Sequence, residues 1–481
     1  MLFTSLEFFV FLPLALALFG AVPARWRWLV LLLASWLFYG AARPANLIYL
    51  GGVTAVVLAG ARMIDRSDRI GPRRVWLAAG LVVVIGSLFA FKFYDFLAAE
   101  IERVAGGLAL PRLGLAAPAG YSFYAFSAAS LLIDTYARRV SVGAATTALY
   151  LAHFPKILAG PIERATDFVP RVVAGLKPEP VLFVLGLQLM LWGLVKKVVI
   201  ADNLAPVVDK AFGIAAYASP IELLISVYFF AFQIYCDFSG YTDIAIGASM
   251  LFGIPLIENF RRPYLARSPA EFWSERWHVS LARWFRDYLY IPLGGSRAGA
   301  WRHYANVMLV FIASGLWHAG LGYGVGWTFL VWGALNGAYL WAGIATRPVW
   351  QRLAERLPRA AANKGWTVLR VLLTFHLIAL TWVFFRAKTL GDAWTILRRI
   401  GGQLAEMPAL LTHYPFTAEH AAGAALIALL LVVEVFDERR SIFERLAAAP
   451  RWLRWSVWYL ALALLLLVGR WQAREFIYMS F

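Results

Sequence analysis

The sequence predicts an all-α, polytopic integral membrane protein with about 12 transmembrane helices. Of its 481 residues 61% are hydrophobic and only 15% are charged, with a mean hydropathy of +0.66. A chain this apolar has too few polar residues to cover a surface that faces water. Apolar runs long enough to cross roughly 30 Å of hydrocarbon recur from one end of the chain to the other. We therefore predict a single membrane domain over residues 1–481.

The apolar runs place the elements in order along the chain. The predicted spans are 5–22, 26–42, 45–61, 75–96, 117–136, 180–201, 220–250, 304–320, 323–344, 366–386, 420–436 and 455–469. The first run has neither a basic n-region nor a small-residue cleavage site, so we interpret it as a retained span and not as a removable signal peptide. With the N-terminus outside, the cytoplasmic segments carry most of the 45 Lys and Arg residues, as the positive-inside rule requires. Lys196 and Lys197 are exceptions near the outer end of the sixth span, where they are expected to snorkel or to face a cavity.

Two segments differ from simple spans. Residues 145–175 contain Pro155, Gly160 and Pro161, which favour a re-entrant or surface-lying segment. Residues 255–302 hold eight arginines and several tryptophans. Within them an apolar stripe repeats at helical spacing and the charged residues fall away from it; the stripe is Trp273, Trp277, Leu281, Trp284 and Tyr288, and the charged residues are Arg276, Arg283, Arg286 and Asp287. This pattern predicts a cytoplasmic interfacial helical segment with its rings in the acyl boundary.

Composition and motifs exclude several classes of function. Cys236 is the only cysteine, so neither an internal disulfide nor a multi-cysteine metal site supports the fold. The net charge of +17 is typical of cytoplasmic loops that face anionic lipid, and we predict membrane lipid and no nucleic acid among the partners. GxSxG, HExxH and Walker motifs are absent, and the GYG at 322–324 lacks the rest of a potassium filter. We predict no bound metal or cofactor.

His318 is the first candidate for a functional residue. It ends the apolar run FIASGLWH, and Ser314 lies one helical turn before it on the same face. An imidazole at membrane depth is costly unless it faces a polar cavity. Glycines at 315, 320, 322, 324 and 326 would leave room for a close helix or a substrate. From these residues alone, a functional role for His318 and a role in helix packing are equally consistent with the sequence.

The other histidines have different surroundings. His278 lies at the edge of the apolar face of the predicted interfacial helix, where it is either a functional group or an ordinary interfacial histidine. His376 has no polar neighbour in the sequence and is predicted to have a packing role. The remaining four are predicted to be surface or interface residues; they are His153, His303, His413 and His420.

Two aspartates lie in the apolar stretch FQIYCDFSGYTDIAIG, with Tyr241 one turn after the first. A buried carboxylate needs a partner, so Asp237 or Asp243 is expected to pair with a lysine or arginine of another helix. Pairing and catalysis both remain open for these residues.

Three stretches, in this order, resemble the membrane-bound O-acyltransferase superfamily. They are FQIYCDFSGYTDIAIG, FRRPYLARSPAEFWSERWHVSLARWFRDYLYIPLGGSR and SGLWHAG. The bacterial branch that includes the membrane subunit for alginate O-acetylation is also similar in HFPKILAGPIER, TWVFFRAKTLGDAW and REFIYMSF. The resemblance implies a many-helix fold around a tunnel, with the acyl donor entering from the cytoplasm and the acceptor from the other face. It also implies that His318 is the catalytic residue and His278 the second functional one. This chain has WHA where WHG is commoner, which affects local packing and not the histidine.

The resemblance leads to an expected mechanism. Acyl transfer from a thioester to a hydroxyl needs a base, and neutral imidazole can serve as one. We expect His318 to be the general base, with an acyl-imidazole as a less favoured variant, and His278 to orient the donor. The remaining candidate substrate-binding residues are Arg276, Arg283, Trp317, Ser314, Asp237 and Tyr241. The arginines would attract the phosphates of coenzyme A.

The expected function is export of acetyl groups from acetyl-CoA across the bacterial inner membrane for O-acetylation of an exopolysaccharide, with a periplasmic acetyltransferase partner. Transfer of D-alanine or another acyl group is an alternative within the superfamily. A third hypothesis is a polysaccharide-export transporter whose histidines relay protons.

Overall fold

A computed structural model describes residues 1–41, 43–106, 109–297, 299–319, 326–356, 363–471 and 476–477. Within these ranges the protein is helical and forms no strand. The α-helices are α1 Leu6–Ala21, α2 Arg27–Gly40, α3 Ala45–Arg66, α4 Ile70–Lys92, α5 Tyr94–Ala105, α6 Tyr121–Tyr136, α7 Ala144–Ala152, α8 Phe154–Ile157, α9 Ala165–Val173, α10 Pro180–Leu194, α11 Asp202–Gly213, α12 Pro220–Leu251, α13 Pro269–Glu271, α14 Val279–Phe285, α15 Ala300–His318, α16 Trp327–Arg356, α17 Lys364–Arg386, α18 Leu390–Gly402, α19 Met407–His413, α20 Ala418–Asp437, α21 Ile442–Ala448 and α22 Arg451–Leu467. Three π-helical segments cover Val195–Ala201, Phe272–Arg276 and Arg286–Tyr290, and 3-10 turns cover Ala24–Trp26 and Pro263–Leu265.

The all-α, multi-pass membrane character predicted from the sequence is confirmed. In the described part of the chain, seven helical stretches are long and apolar enough to cross a membrane; they are Ala45–Arg66, Ile70–Lys92, Pro180–Gly213, Pro220–Leu251, Trp327–Arg352, Lys364–Arg386 and Ala418–Asp437. The other predicted spans coincide with the helices α1, α2, α6, α15 and α22. Twelve crossings therefore stay a prediction. Residues 320 and 323–325, at the ends of two predicted spans, lie outside the described ranges.

The chain divides into two compact units. The first comprises Met1–Leu194 and Gly240–Glu258 with the described residues after Arg470. In this unit the end of α12 lies against α10 through glycines: a Cβ on Gly186 would come within 2.7 Å of the Gly247 oxygen, and one on Gly193 within 2.6 Å of the Gly240 oxygen. Such contacts between small residues let helix backbones approach closely without lipid between them.

The second unit comprises Val195–Ser239 and Asn259–Arg470. Its closest helix pair is α15 with α16. A Cβ on Gly315 would come within 2.4 Å of the Phe329 oxygen, and one on Gly333 within 2.4 Å of the Phe311 oxygen. The glycines therefore fix the position of α15, the helix that ends at His318.

The segment 145–175 is not surface-lying. Its first half is buried, including the polar residues His153, Lys156 and Glu163. These side chains have internal partners: the His153 ring nitrogen Nε2 lies 2.8 Å from Ser249 Oγ, and Glu163 accepts a hydrogen bond from Arg171 at 2.9 Å. The prediction that His153 is a surface or interface residue is therefore wrong. Sequence spacing identified the helix breaks but could not show that the polar groups satisfy one another inside the fold.

The interfacial helix predicted from the aromatic stripe is not continuous. A π-helical turn over Phe272–Arg276 ends at Trp277, and α14 begins only after His278. His278 has the left-handed conformation, with φ 45° and ψ 52°, which a continuous helix does not allow. Trp277 is 2% exposed and packs against Phe260 and Trp382. At this residue the stripe faces the protein interior and not an acyl boundary.

The prediction that His420 is a surface or interface residue is wrong, because it is buried at the start of α20, where it forms a capping box with Thr417. Of the two alternatives for Lys196 and Lys197, snorkelling is excluded, because both side chains are buried in the π-helical segment. The Nε2 of His376 lies 3.0 Å from the Tyr228 hydroxyl, and its packing role stays a prediction.

Candidate active site

A cavity of about 310 Å³ opens within the second unit, between α15 and the segment 270–290. Helix α15 contributes residues spaced three or four apart, which lie on one helical face. The residues of α15 that line the cavity are Val307, Val310, Phe311, Ser314 and His318. From the opposite segment come aromatic and basic side chains, among them Trp273, Trp277, His278, Arg283 and Arg286. The cavity therefore contains both candidate histidines in an otherwise largely apolar wall.

His318 is the last residue of α15 and is 3% exposed. Aromatic rings surround its imidazole: the ring centroids of Trp332 and Phe385 each lie 5.3 Å from it, in edge-to-face geometry. These rings hold the imidazole in one orientation and lower the local polarity. Ser314 lies one turn earlier and is the nearest hydroxyl-bearing residue of α15 on the cavity face.

His278 reaches the same cavity from the helix break. Its Nδ1 lies 3.1 Å from Asn259 Oδ1, and the Phe238 ring lies 4.8 Å from its imidazole, centroid to centroid. Burial lowers the pKa of His278 to about 3, so the ring is neutral at physiological pH. A neutral imidazole can accept or donate a proton, whereas an imidazolium can only donate.

Trp317 lies between the two histidines. Its ring centroid is 4.7 Å from that of His318 and 6.1 Å from that of His278, both in edge-to-face geometry. The structure thus brings together His278, His318, Ser314 and Arg283 at one cavity, with Trp317 packed against both imidazoles.

The arginines chosen from the sequence differ in their surroundings. Arg283 lines the cavity together with Arg286. Arg276 instead binds two carboxylates: its guanidinium lies 2.7 Å from Glu271 and 2.7 Å from Glu438. Its Nη1 also donates to the main-chain oxygen of Arg261 at 3.2 Å. These contacts favour a structural role for Arg276.

Asp237 and Tyr241 lie away from the cavity lining. Asp237 accepts a hydrogen bond from Lys197 at 2.6 Å, and Lys197 also lies 2.9 Å from Asp202. Pairing of Asp237 with a lysine, one of the two alternatives left open by the sequence, is therefore confirmed. Tyr241 belongs to the first unit, where its ring stacks on Phe3 at 4.7 Å.

Sequence reasoning missed Asn259 and Ser280. Asn259 Oδ1 accepts from the Ser280 main-chain N–H at 3.2 Å and from its hydroxyl at 2.9 Å, in addition to its contact with His278. Asn259 lies 19 residues before His278, so no local pattern connects them. Within the described ranges, no group of three His, Cys, Asp or Glu residues could hold a metal ion. Glycines 320, 322 and 324 and most of REFIYMSF lie outside the described residues.

The chain is similar to known proteins over most of its length. Residues 127–385 match the family model described as MBOAT, membrane-bound O-acyltransferase family. A probable alginate O-acetylase, AlgI, of Azotobacter vinelandii is 36% identical over 404 residues, which cover 82% of this chain and 77% of the relative. A peptidoglycan O-acetyltransferase of Helicobacter pylori is 34% identical over 436 residues, covering 83% and 79%. A teichoic acid D-alanyltransferase of Bacillus subtilis is 27% identical over 248 residues, covering 50% and 60%.

Proposed function

The chain belongs to the membrane-bound O-acyltransferase family, and from this premise we propose that it moves acetyl groups from cytoplasmic acetyl-CoA across the bacterial inner membrane. The observation that carries the proposal is the joint placement of His278 and His318 at one cavity of the second unit. An O-acyltransferase needs a base beside the attacking hydroxyl. Each of these two imidazoles could serve as that base in the cavity, because a neutral imidazole accepts a proton and carries no permanent charge.

His318 acts as the general base in the proposed mechanism. The acceptor hydroxyl oxygen attacks the thioester carbonyl carbon while its proton passes to the imidazole of His318. The tetrahedral intermediate then collapses, the carbon–sulfur bond breaks, and the thiolate of coenzyme A leaves and takes up the proton. The edge-to-face rings of Trp332 and Phe385 keep the imidazole oriented for both transfers.

His278 orients the donor at the other wall of the cavity. Because burial lowers its pKa to about 3, it stays neutral and can direct a nitrogen at the thioester without a charge that would repel nearby cations. Arg283 lines the same cavity and attracts the phosphates of coenzyme A. Arg286 also lines the cavity, but its guanidinium lies 2.7 Å from Asp287. Arg276 is left out of the donor site because Glu271 and Glu438 already bind its guanidinium.

The acceptor is an exopolysaccharide, reached through a periplasmic acetyltransferase partner. Two relatives support this class of acceptor, since one is named for alginate and the other for peptidoglycan, and each covers more than four fifths of this chain. Transfer of D-alanine is the second candidate, supported by the teichoic acid relative over half of the chain. The transporter hypothesis is set aside, because the family to which the chain belongs transfers acyl groups.

Purified protein in proteoliposomes tests the donor. We expect release of free coenzyme A from acetyl-CoA when the periplasmic partner and an oligosaccharide acceptor are both present, and no release of carrier protein from a D-alanyl thioester. Turnover of the D-alanyl donor alone would favour the second candidate. Absence of turnover with either donor would contradict the proposed function.

A further inference from the structure

Asn259 lies at the centre of the contacts that shape the helix break at His278. Its main-chain oxygen accepts from Val279 N at 2.9 Å, and Arg261 N donates to the Arg276 oxygen at 2.9 Å. The segments 259–261 and 276–279 therefore pair on both sides of His278. This pairing holds His278 in the left-handed conformation that directs its ring into the cavity.

The hydrogen bonds of the Asn259 side chain determine which ring nitrogen of His278 carries the proton. A main-chain N–H can only donate, so the amide atom that faces Ser280 N at 3.2 Å is the oxygen. The same oxygen lies 3.1 Å from His278 Nδ1. Because that oxygen can only accept, Nδ1 must be the donor. The neutral imidazole therefore carries its proton on Nδ1 and its lone pair on Nε2.

We propose that Asn259 is a positioning residue for acyl transfer, which fixes His278 as the Nδ1–H tautomer and so presents Nε2 as a hydrogen-bond acceptor for an amide N–H of the coenzyme A donor. The inference rests on the proposed function, because it assigns His278 a part in the reaction. A residue that orients an imidazole through its second nitrogen controls activity without contact with substrate, since the wrong tautomer offers a proton where a lone pair is needed.

The His278 ring has polar contacts with Asn259 Oδ1 at 3.1 Å and with Ser280 Oγ at 3.5 Å. From other elements, Phe238, Phe260 and Trp317 pack against it, and none carries a charge. The titratable groups that share the cavity are His318 on α15 and, on the segment of His278 itself, Arg283, Arg286 and Tyr290.

The Asn259→Leu variant removes the oxygen that accepts the hydrogen bond from His278 Nδ1, and it changes the side-chain volume little. We expect kcat for acetyl transfer to fall by about 10²-fold or more with little change in KM, which is the effect expected when a bound donor is misaligned for reaction. Asn259→Ala, which places no apolar group against the Ser280 N–H, should show the same loss if the leucine variant fails to accumulate. Wild-type kcat in either variant would overturn the proposal.

The Asn259→Asp variant separates positioning from mere packing. Its carboxylate can accept from the same Nδ1–H, so kcat at pH 8 should stay within about tenfold of wild type. A carboxylate partner raises the pKa of a neighbouring imidazole, so the pH at which His278 titrates, followed by the ¹⁵N signals of its ring, should move upward from the wild-type position. Asn203→Asp is the control, because Asn203 lies in the same unit and its side-chain oxygen accepts from Arg470, a contact that the aspartate keeps; it should leave the titration of His278 in place. A titration of His278 in Asn259→Asp that coincides with the wild-type titration would overturn the tautomer assignment.

The His278→Ala variant distinguishes failure of this inference from failure of the proposed function. Full activity of His278→Ala would contradict the role of His278 itself. Loss of activity in His278→Ala together with a fully active Asn259→Leu variant would contradict only the role of Asn259.

Discussion

Lys197 places a positive charge in the interior of the second unit and holds two carboxylates there. Its ammonium group lies 2.9 Å from Asp202 and 2.6 Å from Asp237, and all three side chains are buried. Removing these three charges from water is costly, and their attraction offsets the cost only when every member of the group is present. The group therefore stabilises the packing of the π-helical segment, α11 and α12 only while all three side chains are present.

Replacement of Lys197 by methionine should destabilise the protein strongly. The change removes the ammonium group that binds both buried carboxylates, and loss of one partner of a buried ion pair costs about 3–5 kcal/mol. Thermal unfolding in detergent should show a clearly lower midpoint, and adding Asp202→Asn and Asp237→Asn should recover most of the loss. Lys364→Met at the exposed start of α17 is the control and should leave the midpoint unchanged. An unchanged midpoint in Lys197→Met would show that the ion group contributes nothing to stability.

Single residues show where sequence reasoning succeeds and where it cannot. The pairing of Asp237 with a basic residue was predictable, because a carboxylate in an apolar run needs a partner whatever the fold. Its actual partner was not predictable, since Lys197 lies 40 positions away. The left-handed backbone of His278 could not be predicted either. The residue is not a glycine, which commonly adopts this conformation, and the spacing of the residues around it is helical. The burial of His153 depends on Ser249, nearly 100 residues later.

Close packing between α15 and α16 controls the position of the His318 end of the cavity. Gly315 and Gly333 face main-chain atoms of the opposite helix at distances that leave no room for a methyl group. Helix α15 carries Ser314 and His318 on its cavity face, so any change in its separation from α16 also moves these side chains.

Replacement of Gly333 by alanine should therefore reduce both stability and acetyl transfer. The added methyl group would lie 2.4 Å from the Phe311 oxygen, and forcing extra volume into packed helices costs about 1–3 kcal/mol. Gly343→Ala is a matched control on the same helix, because nothing lies within 4 Å of its added Cβ. Alanine there should be neutral or slightly stabilising, by up to about 1 kcal/mol. Equal melting midpoints and equal activities for the two variants would contradict the role assigned to this contact.

Elements were predicted well where apolarity alone defines them. The run 45–61 corresponds to Ala45–Arg66 and the run 366–386 to Lys364–Arg386, because lipid requires every main-chain polar group to be bonded within the helix. The segment 272–290 was predicted less well. Its aromatic spacing fits a helix, but the indole of Trp277 is packed inside the unit against Phe260 and Trp382, and the break at His278 allows this inward direction.

At the scale of the whole molecule, the predicted single domain corresponds to a chain that separates into two compact units, with α12 contributing residues to both. Composition predicts a membrane protein but has no information about this division, because long apolar helices occur in both units. The candidate histidines and the cavity between them belong entirely to the second unit. The positive-inside distribution of Lys and Arg predicts that the loop after α20 faces the cytoplasm. Under the proposed function, acetyl-CoA enters from this side of the membrane.

The central claim is that His318 is the base for acetyl transfer across the membrane, and sealed inside-out vesicles test it most directly. Acetyl-CoA labelled in the acetyl group is added outside, on the original cytoplasmic side, and labelled acetyl ester is measured on an acceptor enclosed in the lumen together with the periplasmic partner. Loss of a general base costs about 10²–10⁴ in rate, so His318→Ala should reduce lumenal acetylation to near background. His376→Ala, which removes a second imidazole within a predicted span, should retain most of the activity, with equal membrane levels of both variants. Lumenal acetylation close to the wild-type rate in His318→Ala would contradict the mechanism, and equal loss in both variants would point to packing as the shared cause.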